Sequence, residues 1–174
     1  MPRSGGVREI LHLLAAGRCI MLCSLATRRI PLRSTYSPAY PMNAQENTRK
    51  VQSAYAAFGR GDIKTILDLL DPNVDWQAVV GVGPNVPTGG LRTGRAQVEQ
   101  FFSQLGENTE FKTFEPREFI AERDKVVALG YYEGVAKKTG RTFKSEWVMI
   151  FTFSADRVIR MREYADAQAI NAAF

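Results

Sequence analysis

The chain has 174 residues, enough for one domain with a real hydrophobic core. Its formal charge of +5 is uneven: residues 1–41 carry six arginines against one acid, Glu9, while the remaining 17 basic and 17 acidic residues balance. His12, Cys19 and Cys23, the only residues of their types, also precede residue 42. The rest therefore lacks the groups for thiol or imidazole nucleophiles, Ser-His triads and the usual zinc or haem ligation, and its neutrality gives no reason to expect nucleic acid as a partner.

Residues 1–41 read as an extension and 42–174 as the domain. The extension admits several readings: a disordered leader, a mis-called start with Met42 as the true first residue, a secretory signal with Ser24-Leu25-Ala26 as cleavage site, or an Arg-rich transit peptide. Ile10 to Gly17 is apolar but too short to span a membrane. A cytoplasmic location is expected, a targeting role for the extension being the alternative.

Asn43 to Phe58 predicts a helix, since Val51, Ala54, Tyr55 and Phe58 recur at spacings of three and four. Gly59-Arg60-Gly61 stops it, and Asp62 caps a second short helix with Ile63, Ile66, Leu67 and Leu70 inward. A strand over Val74 to Val80 follows Asp71-Pro72-Asn73, which places Asp75 near a turn. The Gly- and Pro-rich stretch from Gly81 to Gly94 is a loop long enough to cover a pocket. Thr93 is set to cap a third helix, Arg95 to Leu105, with Val98, Phe101, Phe102 and Leu105 on one face. Four strands come next, near Phe111 to Glu122, Lys125 to Lys137, Arg141 to Phe153 and Val158 to Ala165, and Asp166 caps a last short helix. Helices followed by a strand meander mean an α+β domain with an antiparallel sheet, its covered face concave. Pairing across Thr139-Gly140 sets Tyr132 opposite Trp147, Gly130 opposite Met149 and Ala128 opposite Phe151, so small residues face large ones and leave room for a cavity.

The last hairpin is the most informative stretch. A simple two-residue loop at Ala155-Asp156 would bury Arg160 and Arg162 beside Trp147, Met149 and Phe151, at a cost of several kcal/mol unless both are paired. A three-residue loop with a bulge, Asp156 taking the left-handed position, instead sets Trp147, Met149, Phe151 and Phe153 on one face with Ile159, Met161 and Glu163. This register leaves one carboxylate, Glu163, on an apolar wall.

The order of elements, with GRGD at 59–62, TGRAQVEQFF at 93–102 and FTFSADRVIRMREYADAQAI at 151–170, resembles the SnoaL-like, ketosteroid-isomerase-like branch of the nuclear transport factor 2-like superfamily. The resemblance covers Met42 to Phe174. It implies a cone-shaped α+β roll, cystatin-like, with the N-terminal helices packed in the concave face of a strongly curved antiparallel sheet. It does not carry over the ketosteroid isomerase machinery, whose three polar groups correspond to Ala54, Met149 and Ala78. Against limonene epoxide hydrolases, the resemblance puts Glu163 at an essential carboxylate. That carboxylate's Arg and Asp partners correspond to Gly130 and Tyr132, and the water-positioning Tyr and Asn to Trp76 and Ala78.

The candidate catalytic residues are Glu163 and Tyr132: an acid whose burial would suit it to proton transfer near neutral pH, and a phenol able to donate to the same ligand oxygen. Trp76, Trp147, Met149, Met161, Tyr55, Phe58 and Phe102 are the candidate walls of a site for a small apolar molecule, with no metal and no cofactor. The alternatives are that Glu163 pairs with Arg117 and only holds the sheet, and that the aromatics are plain core. Two functions stay open: an isomerase, cyclase or lyase using Glu163, and a non-catalytic ligand-binding or dimerisation module. The outer sheet face mixes Val148, Ile150 and Tyr164 with Arg160 and Arg162, a composition that suits a homodimer interface.

Overall fold

A computed structural model describes residues 43–174; the expectations for residues 1–41 lie outside them. In chain order the elements are α1 (Asn43–Gly59), α2 (Ile63–Leu69), β1 (Leu70–Gln77), β2 (Leu91–Thr93), α3 (Arg95–Asn108), β3 (Thr109–Glu122), β4 (Lys125–Ala136), β5 (Arg141–Ser154), β6 (Arg157–Ala165) and α4 (Ala167–Ala173).

Local chemistry sets the helix ends. Gly61, at φ 71°, closes α1, its N–H donating to the Phe58 carbonyl at 2.9 Å. Asp62 caps α2 by accepting from the Thr65 N–H at 3.1 Å, and Asp166 caps α4 through Ala169 at 2.9 Å. The third cap differs from expectation. Gly94, not Thr93, holds the cap position of α3 with no side-chain cap, at φ 82°, a conformation open to glycine. Gln97 reaches back instead and accepts the Thr93 N–H at 3.0 Å.

The six strands form one sheet in the order β2-β1-β6-β5-β4-β3. It is mixed rather than antiparallel throughout, because β1 runs parallel to β6, with Trp76 beside Met161. The β1–β6 pairing shifts between Leu70 and Asp75, where Pro72 has no N–H to offer a ladder. Asp75 is no turn residue: its Oδ2 binds Arg162 at 2.6 Å and Arg160 at 3.2 Å, so both arginines are held on the outer face.

The meander keeps the expected faces but slides one pairing. Across the β4–β5 turn, Gly130 faces Trp147, Ala128 faces Met149 and Tyr132 faces Ser145, two residues from the expected register. The glycines explain the choice. The Trp147 indole fills the space a Cβ on Gly130 would occupy (2.2 Å from its Cζ2), and the Phe143 ring does the same over Gly134 (2.6 Å). The strand alternation has period two, so the slip leaves every side chain on its side of the sheet.

In the β5–β6 hairpin Met149 faces Glu163 and Phe151 faces Met161, as the sequence predicts. The route differs. The loop is two residues, Ala155 rather than Asp156 has the left-handed φ of 52°, and the bulge falls at Ile159 within β6. Ile159 is consequently exposed beside Arg160, and Val158 turns inward opposite Phe153. That one extra residue keeps the arginines out and brings Met161 and Glu163 in.

The core lies between the inner face of this sheet and the helices, with Val51, Val74, Val98, Val126 and Val158 at its fully buried centre. Among the described residues no helix is long and apolar enough to cross a membrane.

Candidate functional site

The inner face and the helices leave a cavity with about 110 Å³ of water-accessible space, room for a small organic molecule rather than a lone water. Its aromatic wall runs through Phe58, Phe102 and Trp76, with ring centroids 5.7–6.2 Å apart. Phe111 and Phe114 close the side toward β3. Met149 and Met161 form the floor beside Glu163.

Glu163 is buried, 6 % exposed, and lines this cavity. Burial in apolar surroundings raises its pKa from 4.5 to about 7. Polar contacts from the Tyr132 hydroxyl and the Val79 amide oppose that rise without cancelling it. Arg117 is not its partner. That guanidinium pairs with Glu115 at 2.9 Å and lies 5.0 Å from the Tyr131 ring, half exposed at the bulge after Pro116. Among the described residues Glu163 forms no salt bridge, so the pairing with Arg117 fails on geometry.

Tyr132 is 3 % exposed and also lines the cavity. Burial first, and then the charge of Glu163, pushes its phenol well above the ordinary tyrosine range, so it remains a hydrogen-bond donor. Tyr55 behaves alike, for the same two causes, and its hydroxyl donates to the Met149 Sδ at 3.1 Å. A thioether is a weak acceptor, which leaves that donor ready for a better one.

Of the nine predicted site residues, Trp147 alone does not line the cavity. It is seated over Gly130 and stacked between Tyr55 and Phe114, at 5.7 and 5.5 Å. The two-residue slip of β4 against β5 explains the difference, since it exchanges the neighbour expected for Trp147 and gives its ring a glycine to fill.

The Gly- and Pro-rich loop does border the cavity, through Thr88, and so does Val79 just before it, which lies past the end of β1 rather than in the strand expected to run to Val80. Val79 has φ 42°, unusual for a β-branched residue. The next amide, Val80, donates to the Glu163 carbonyl at 2.8 Å. Arg92 then ties the far end down, donating to the carbonyls of Pro87, Thr88, Gly89 and Gly90 and to Gln104 Oε1. Sequence reasoning missed Val79, Thr88, Thr109 and Arg92. Only Arg92, a lone cation closing a stretch of glycine and proline, offered a signal.

A family model described as a SnoaL-like domain matches residues 51–161. The chain belongs to the SnoaL-like domain family. The match runs from the first core residue of α1 to Met161 and so includes nearly all of this SnoaL-like cavity, Glu163 lying two residues past its end. An NTF2-like protein from Burkholderia xenovorans is 32% identical, over 75% of this chain and 96% of its own, at a TM-score of 0.67. TerC, crystallised with polyporic acid, is 28% identical over 73% and 96% at a TM-score of 0.63. A putative polyketide cyclase from Xanthomonas campestris shares the fold at 22% identity, 75% and 98% coverage and a TM-score of 0.61. No curated protein matches the chain.

Proposed function

We propose that this SnoaL-like domain binds a small, largely apolar molecule in its cavity and transforms it by acid–base chemistry at Glu163, as an isomerase, cyclase or lyase. The observation that carries the reading is one carboxylate, without a salt-bridge partner among the described residues, buried among aromatic and thioether side chains, with a pKa of about 7. Such a group is divided between its two protonation states near neutral pH, where a proton-transfer catalyst works best. In the basic state it takes a proton from carbon next to a ligand carbonyl. The Tyr132 hydroxyl donates to the oxygen on which negative charge then gathers, and the proton returns from Glu163 to another atom. These steps use the chain's own groups.

TerC, a similar structure co-crystallised with polyporic acid, supports an organic ligand for this fold and makes that compound a sensible first probe. One observation favours the alternative of a non-catalytic binding module. Among the described residues, the titratable side chains lining the cavity apart from Glu163 are tyrosines held in their protonated form, with no second carboxylate to relay a proton.

Glu163→Gln separates the two. Thermal-shift screening of polyporic acid and small ketones, epoxides, polyketide and terpenoid fragments identifies a ligand, and mass spectrometry follows its conversion. For an acid–base enzyme, Glu163→Gln loses at least 10²-fold in turnover with ligand affinity nearly retained. A ligand bound by both proteins and converted by neither makes this a binding module.

We also propose a homodimer through the outer face. There Ile120, Val127 and Ile150 form one cross-strand row and Leu129, Val148 and Tyr164 the next. Ile120 and Tyr164 are 53% and 48% exposed in the single chain, an apolar surface flanked by Arg160 and Arg162.

A further inference from the structure

Two threonines lining the cavity have no part in the chemistry assigned to Glu163 and Tyr132. Thr88, in the loop, and Thr109, at the head of β3, both line the cavity and are buried, 9% and 7% exposed. Among the described residues neither hydroxyl has a hydrogen-bond partner.

Their positions are fixed by the same turn of helix. Arg92 donates to the Thr88 carbonyl and to Gln104 Oε1, both at 3.0 Å. The Gln104 carbonyl in turn accepts from the Asn108 side chain at 2.9 Å, and the Thr109 N–H closes on the Leu105 carbonyl. Thr109 therefore closes the last turn of α3, and the Thr88 backbone is tied to that helix through Arg92 and Gln104. An unpaired hydroxyl in an apolar cavity is unfavourable, and valine would fill the same shape without it. Here two such residues line one cavity.

We propose that Thr88 and Thr109 form a second hydrogen-bonding subsite, by the last turn of α3, that holds an oxygen of the ligand. The proposal rests on the reading of the cavity as a binding site and specifies its ligand: a two-ended molecule, with an apolar ring body, one oxygen at Glu163 and Tyr132 and a neutral hydroxyl or carbonyl at the threonines. A carboxylate at that end is disfavoured, because the Arg92 guanidinium is committed to four carbonyls and Gln104.

The test is calorimetric titration of the full chain with α-tetralone and with its ring-hydroxylated isomers. The best hydroxylated isomer binds roughly 3- to 10-fold more tightly than α-tetralone, the ordinary worth of one added neutral hydrogen bond. In the Thr88→Val/Thr109→Val protein that ratio falls to about one while the parent ketone binds as before; serine at both positions retains the preference. Thermal unfolding checks that each variant is folded, and the single valine variants divide the test should the double one not be. A preference that survives valine, or its absence from the wild-type protein, overturns the subsite alone. A wild-type protein that binds none of these probes overturns the subsite together with the reading of the cavity beneath it.

Discussion

Glu163 couples the site to stability, and the sign of that coupling is fixed by the direction of its pKa. The folded value of about 7 lies above the unfolded value near 4.5, so between these pH values the folded chain binds more protons than the unfolded one. Its contribution to stability is therefore fully present below the unfolded pKa and is lost as pH rises through about 7, by on the order of 3 kcal/mol. Urea unfolding from pH 4.5 to 8 checks this: the wild-type protein loses stability across that window, Glu163→Gln lacks this component, and the variant is the more stable at pH 8. A difference between the two proteins that does not change with pH would mean that Glu163 is solvated. Under the proposed acid–base function the same titration would govern turnover: a rise to a plateau near pH 7 would mark Glu163 as the base, and a fall there would mark it as the acid.

At the scale of elements, β4 and β5 are joined by shape more than by turn chemistry. Trp147 over Gly130 and Phe143 over Gly134 form two ring-on-glycine pairs that fit in one register only. Gly130→Ala puts a methyl 2.2 Å from the indole and 2.3 Å from the Glu115 carbonyl oxygen, and neither has room to move. We expect a loss of about 3 kcal/mol or more in urea denaturation, with near-ultraviolet circular dichroism reporting displacement of Trp147; a loss under 1 kcal/mol would show that the register does not depend on this contact. These glycines were visible in the sequence, but the assumed turn set the expected pairing two residues away. Turn residues constrain register weakly where the loop can lengthen: here it runs from Lys137 to Gly140, closed by the Gly140 N–H on the Ala136 carbonyl at 2.8 Å.

For the whole molecule the consequential surface is the outer face of the sheet. Val127, Leu129, Val148 and Ile150 are only half-buried on the single chain. A second copy would cover them, and the arginines tied to Asp75 would form a polar rim. Sedimentation of the wild-type protein at micromolar concentration should give a dimer, and Ile150→Glu a folded monomer. A wild-type monomer under those conditions would remove the dimer proposal and leave the cavity untouched.

The elements themselves were set by local sequence. Apolar spacing in α1 and α3, caps at Asp62 and Asp166, and alternation along β3 to β6 are short-range patterns, and they also turned Glu163 and Tyr132 inward. Only the tertiary structure decided what depends on distant partners. It paired β1 with β6 in parallel across most of the chain, put Asp75 on two arginines, moved the bulge from the loop to Ile159 and seated Trp147 in the gap over Gly130. It also brought Thr88 and Thr109 to the lining of one cavity. The reason is physical: periodicity fixes which way a side chain faces, whereas its neighbours are chosen by how volumes fill and which buried polar groups find partners.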